Sequence, residues 1–299
     1  MCFVMSGSVA NFIKQRQATA GLLNKMNTPQ LKKGFVFLPL LIFSIIVPAQ
    51  PDFPYHRNKK DFILVPLAIL TKVSSEVLRN KYDRSLSIDE IAALDRYTIN
   101  GFDRGATYNW STTWEKVSDV PSLIIPFFPI ALGVPMIKNK KYNNALTLGL
   151  MYVEVSIFRT GITGSTKSLT GRIRPYLYNT SFTLQERFDL QKDSPTATSS
   201  FISGHASNAF AFAVFFSKTF TDIYGKNTWS KIIWSGSLIL ATTTAVARVK
   251  AGVHFPTDVI AGALVGSAIG YAIPVLHKVN PEKLSLSILP GYFMMAYTL

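Results

Sequence analysis

The chain has 299 residues, 48% of them hydrophobic, enough for one sizeable core, and carries 31 Lys and Arg against 17 Asp and Glu, a formal net charge of +14. That balance favours an anionic partner, but the basic residues form no long clustered stripe and no zinc-finger or similar signature appears, which sets nucleic acid aside. The single cysteine, Cys2, excludes an intramolecular disulfide and, in the rest of the chain, a cysteine metal site or thiol nucleophile.

The first fifty residues contain no Asp or Glu, carry Lys14, Arg16, Lys25, Lys32 and Lys33, and run into an apolar stretch from Phe35 to Pro48. This reads as a signal peptide or signal anchor over 1–49, with Val47 and Ala49 approximating the small-residue cleavage pattern and Met26 offering an alternative start. Residues 50–117 read as a polar and amphipathic extracytoplasmic cover. Within it Phe62 to Leu70 is apolar, Ser87 and Glu90 have capping-box spacing, and Asn100 to Gly105 has the glycine punctuation of a loop.

Apolar blocks come next, at about 120–137, 143–163, 206–216, 232–247 and 259–276, separated by short polar connections. They predict an all-α helical bundle over 118–277. Most blocks are shorter or more polar than the ~20 clean residues of a lipid-facing helix, and the mean hydropathy of +0.22 is mild, so a soluble or surface-bound bundle stays open. Charge placement favours spanning: Lys138, Lys140 and Lys141 fill one connection, and Lys218, Lys226 and Lys231 another on the same expected cytoplasmic side. Five crossings starting outside then bring 164–205 and 248–257 together on the outer face. The tail, 278–299, shows strand-like alternation from Leu284.

Those two outer connections carry the chemistry. Lys167 and Arg174, followed by Pro175, are seven residues apart, close to two helical turns, so on a helix both cations project from one face and suit a phosphoryl group. Alone, this reads better as a basic loop beside a membrane. Ser203-Gly204-His205 leads into an apolar helix, whose N-terminal amides form an anion site that glycine lets a ligand approach. Alone, a histidine at a helix start is more often a cap or surface residue. Arg248 precedes His254, and Pro256 suits the first turn of a following helix, which sets Asp258 in that turn, able to reach a ring nitrogen of His254. Alone, Asp258 is a dipole-favoured residue. The conjunction of all three, in this order, points to phosphate chemistry.

Together the three elements resemble the three-part signature of the type 2 phosphatidic acid phosphatase superfamily, which also includes bacterial acid phosphatases and vanadium haloperoxidases. The resemblance covers about 118–276. It departs from the family pattern at Ile202, where a proline usually stands, and at Ala247, where a serine does. It implies a bundle of that superfamily's type in which His254 attacks phosphorus, Asp258 orients it, and His205 protonates the leaving alkoxide and then activates water. It implies that Lys167, Arg174, Arg248, Ser203 and Gly204 hold the phosphate, with no metal or other cofactor.

The implied activity is hydrolysis of a phosphate monoester or pyrophosphate of a lipid, at the outer face of a bacterial membrane. The alternatives are an exported soluble acid phosphatase and a vanadate-dependent haloperoxidase. Outside the signature, Arg172 reads as a solvated charge and Glu154 and Arg159 as structural. His56 and His277 receive no role, and no paired-carboxylate or histidine-cluster metal signature is visible.

Overall fold

A computed structural model describes residues 53–57, 59–192, 194, 196–278, 284–289 and 292–297. The signal or anchor expected over 1–49, with its cleavage pattern and alternative start, lies outside the described residues. The bundle is built from α1 (Asp61–Tyr82), α4 (Thr112–Ile124) continued by α5 (Phe128–Lys138), α6 (Tyr142–Thr170), α8 (Gly204–Tyr224), α9 (Thr228–Lys250) and α10 (Pro256–His277). Three short helices lie at one end: α2 (Ile88–Ala92), α3 (Gly101–Arg104) and α7 (Leu184–Lys192). The five expected apolar blocks all fall on helices.

Local chemistry sets the boundaries. Ser111, Ser203 and Asn227 accept backbone amides of the first turns of α4, α8 and α9, satisfying donors that a helix start leaves orphaned. The Ser87–Glu90 capping box forms as expected, although the helix it starts has only 5 residues. Between α4 and α5 the chain tightens into a 3-10 turn at Ile125–Phe127, where Pro126 and Pro129 remove backbone donors.

Helix α8 is the axis of the bundle. Its Ala209, Ala211, Phe212, Phe215 and Phe216 pack with Leu132, Met136, Met151, Val155 and Ile273 from three surrounding helices. Helix α10 approaches it backbone to backbone through Gly262, Gly266 and Gly270, one turn apart on one face. A Cβ at Gly266 would stand 2.3 Å from the Ser207 carbonyl oxygen, and one at Gly270 2.2 Å from that of Ala211. Gly266→Leu is therefore expected to separate the helix that carries His205 from the helix that His254 precedes, and to leave no monodisperse protein on size exclusion in detergent, whereas Leu264→Ala on the exposed face should elute as wild type.

Helix α1 lies alongside α6, seated on Gly161 and Gly164, where Cβ atoms would meet Thr71 and Ser75. Its start, Asp61, sits beside His277, and Asp83 just past its end accepts a hydrogen bond from Ser168. Residues 50–117 are thus not one cover: α1 runs the length of the bundle, and only the segment after Tyr82 folds over the signature end. Small residues on α6 permit this, and an alternation-based reading of an isolated segment does not register them.

Among the described residues, four helical stretches are long and apolar enough to cross a membrane: 112–138, 142–178, 228–250 and 256–277. Their most apolar windows are only 28–33% buried, leaving Leu123, Leu146, Ile239, Ile260 and Leu264 on the outside. So large an apolar exterior suits acyl chains rather than water, which makes this a membrane protein and disfavours the soluble-bundle alternative. The connections 139–141 and 225–227 lie at the end away from the signature, as the lysine pattern requires. In the tail, β1 (Leu284–Leu289) and β2 (Tyr292–Tyr297) pair antiparallel with each other.

Candidate active site

Lys167 projects from the last turns of α6, and its Nζ donates to the Ser199 carbonyl oxygen at 3.0 Å. The expectation that Lys167 and Arg174 share a helix face is corrected. The helix ends at Gly171, which adopts a left-handed φ of 54°, and Pro175 holds Arg174 extended at ψ 150°. The two cations meet because the loop turns back. Arg174 is 7% exposed and rigidly tied: Nε donates to Thr196 O at 2.8 Å, one terminal nitrogen to Thr196 Oγ1 at 3.0 Å and the other to Val253 O at 3.2 Å.

Arg248, in the last turn of α9, donates to Ser118 Oγ at 3.2 Å and leaves its buried Nε without a partner. The chain then turns through Gly252, with φ 74°, where a Cβ would stand 2.0 Å from the Asn109 carbonyl oxygen. Only glycine fits there. The turn is clamped from both sides, by Tyr176 N donating to Gly252 O and Asn109 Nδ2 to Val249 O. His254 is thereby presented between α9 and α10, 1% exposed.

Lys167, Arg174, His205, Arg248 and His254 all line one cavity of about 320 Å³, together with Trp110, Glu115 and Tyr176. Burial, and then the neighbouring Arg174, Lys167 and Arg248 cations, push the His254 imidazole well below its ordinary value of 6.5. The ring is neutral at neutral pH and keeps a lone pair for attack.

Ser203, Gly204 and Asp258 stand behind the wall rather than in it. Ser203 Oγ caps α8 through Ala206 N, and its own N–H donates to Asp258 O at 3.0 Å. Gly204 lies against Lys167, where a Cβ would sit 3.9 Å from Cε. Asp258 Oδ2 is 3.5 Å from His254 Nδ1, close enough for electrostatic orientation but without a hydrogen bond at Nδ1. A proton on Nδ1 faces that carboxylate, which leaves Nε2 as the free nitrogen. Ile202 and Ala247, the two departures from the family pattern, are both buried.

Three residues escaped sequence reasoning. Arg172 is no solvated charge: its guanidinium bridges Asp258 at 2.5 Å and Asp103 at 2.8 Å, and lies 4.1 Å over the Phe255 ring. Asp103 is no loop tip: it sits on α3, fully buried, and accepts from Thr257 N at 3.0 Å and Thr257 Oγ1 at 2.6 Å. Burial acts to raise its carboxyl, but the bonds from Thr257, Arg172 and Asn100 outweigh it and hold the group below the usual carboxylate range. Asp258 is thus fixed from the far side by Arg172, by Ser200 Oγ at 2.5 Å and by Phe255 N at 2.9 Å.

The third is Asp119 on α4, 3.2 Å from His205 Nε2 and 3.6 Å from Arg248. The only hint in the sequence is the i, i+3, i+4 grouping of Glu115, Ser118 and Asp119 on one helix face. As a group that positions His205, Asp119 replaced by Asn is expected to lower kcat about tenfold with KM within about twofold, and Asp119→Glu to restore part of the loss. Steady-state kinetics on the three proteins check this.

Residues 146–282 match the family model described as PAP2 superfamily. A 73-residue stretch is 37% identical to the lipid A 4'-phosphatase of Porphyromonas gingivalis, covering 24% of this chain and 28% of that protein. Among solved structures, a transmembrane PAP2 type phosphatidylglycerolphosphate phosphatase from Bacillus subtilis aligns over 81% of this chain and 93% of its own, at 16% identity and a TM-score of 0.41.

Proposed function

We propose that this protein, whose residues 146–282 form a PAP2 superfamily domain, is a membrane phosphatase that hydrolyses the phosphate monoester of a lipid through a phosphohistidine on His254. The observation that carries the reading is the convergence of three cations and two histidines, from three separate stretches of chain, on one cavity. His254 Nε2 attacks phosphorus while Lys167, Arg174 and Arg248 hold the equatorial oxygens, the unpartnered Nε of Arg248 gaining an acceptor. The P–O bond to the leaving group breaks and His205 gives that oxygen its proton. His205 then takes a proton from water, which attacks phosphorus and breaks the P–N bond, releasing inorganic phosphate and restoring neutral His254.

Asp258, held by Arg172, stabilises the imidazolium that exists between the two steps. Three fixed cations neutralise the phosphoryl oxygens, so the reaction needs no metal at the phosphate. A lipid is the favoured substrate because the cavity lies at the ends of membrane-length helices, where the headgroup of a lipid in the surrounding bilayer would reach it. The lysine-rich connections at the opposite end favour a cavity on the outer, periplasmic side of a bacterial envelope. The matched lipid A 4'-phosphatase puts a phosphorylated sugar headgroup first among candidate substrates.

The test is phosphate release in detergent with EDTA present, from lipid A, phosphatidic acid, phosphatidylglycerol phosphate, an isoprenyl pyrophosphate and one soluble ester. Release from a lipid supports the reading. Turnover of the soluble ester alone would refute the lipid assignment, and release that EDTA abolishes while the protein stays folded on size exclusion would refute the metal-free mechanism. Arg248→Lys is expected to cut kcat/KM about 100-fold, because a point charge cannot reproduce the two-pronged contact of a guanidinium. Wild-type kinetics in that variant would remove Arg248 from the phosphate site.

A further inference from the structure

At the end of the bundle away from the cavity, three side chains distant in sequence converge: Asp61 at the first turn of α1, Glu154 midway along α6 and His277 at the last turn of α10. His277 Nε2 stands 3.2 Å from Asp61 Oδ1 and 3.4 Å from Glu154 Oε2, and one ligand atom from each residue lies within 4.8 Å of the other two. Glu154 and His277 are each 1% exposed, and neither Glu154 oxygen nor His277 Nε2 has a hydrogen-bond partner. His277 Nδ1 lies 3.0 Å from the Ile273 carbonyl oxygen, which can accept only from a protonated Nδ1. In the neutral ring this turns the Nε2 lone pair towards two carboxylates, an arrangement that a cation between them stabilises.

We propose that Asp61, Glu154 and His277 bind a first-row divalent metal ion, with Zn²⁺ the best fit, which staples α1, α6 and α10 together. Tetrahedral coordination at Zn–N and Zn–O lengths near 2.05 Å puts neighbouring ligand atoms about 3.3 Å apart, matching both observed spacings. A divalent ion neutralises the two carboxylates fully. The carbonyl that fixes Nδ1 is the usual outer partner of a metal-bound imidazole. Asp61 also borders a cavity of about 920 Å³ at this end, which gives an ion and its completing water a way in.

The test uses the full chain in detergent, stripped with chelator, reloaded with Zn²⁺ and desalted. Elemental analysis should find about one equivalent of zinc in wild type and under 0.2 in Glu154→Gln and His277→Gln, with the wild-type thermal midpoint several degrees higher with zinc than without. Co²⁺ loading of wild type should give the intense visible band of a tetrahedral site, a readout that does not depend on the variants folding. Wild type without zinc and without the Co²⁺ band, the cluster then being a protonated ion pair, would overturn the proposal. So would undiminished zinc in both variants.

Discussion

His254→Ala should lose at least about 10³-fold in phosphate release and remain folded, because the substitution removes the attacking atom but little that holds the bundle together. The Nδ1 of His254 makes no hydrogen bond, and Asp258 behind it keeps Arg172, Ser200 and the Phe255 amide. The structural cost is that of a small cavity, about 1–3 kcal/mol. Phosphate release and size exclusion on the same preparation separate the two effects. Activity within tenfold of wild type would place the nucleophile elsewhere, and His205 is the other imidazole lining the cavity.

Arg172→Ala should be the most destabilising single change at the site. It strips the cation from Asp103 and Asp258, whose side chains are 1% and 0% exposed, and leaves two buried carboxylates facing each other across Thr257. Breaking a buried ion pair in this way costs about 3–5 kcal/mol. The expected result is a large fall in thermal midpoint, with residual phosphatase activity lost alongside. Asp103→Asn added to Arg172→Ala should restore part of the midpoint, since it removes one of the stranded charges. A variant that melts with wild type would show that the bridge contributes nothing net.

The candidate catalytic set is legible in the sequence because its members lie in three short contiguous segments, each with its own local grammar: a cation pair before proline, a serine and glycine opening a helix, and a histidine followed one turn later by aspartate. The helices are legible from apolar blocks bounded by caps. Pairings between distant segments are not. Arg172 reaches partners 69 and 86 residues away, so its spacing from Arg174 indicates nothing about them. Asp61, Glu154 and His277 belong to three helices, and no local spacing marks them as one cluster.

The face shared by Lys167 and Arg174 fails for a different reason. Helical periodicity does not extend through Gly171 and up to Pro175, because those two residues end it. Convergence comes instead from the loop, which returns Arg174 to Thr196 and Val253. Likewise α1 is hidden by its own pattern: it is apolar outward and packs through Thr71 and Ser75 on α6 glycines, so the residues that seat it are polar.

The most direct test of the central claim is to trap the covalent intermediate. The wild-type protein, mixed with ³²P-labelled lipid phosphate and quenched at alkaline pH within milliseconds to seconds, should carry label that is stable to base, lost in acid, and assigned by peptide mapping to His254. Label on another residue, or multiple turnovers with no labelled protein at any time, would contradict a phosphohistidine on His254.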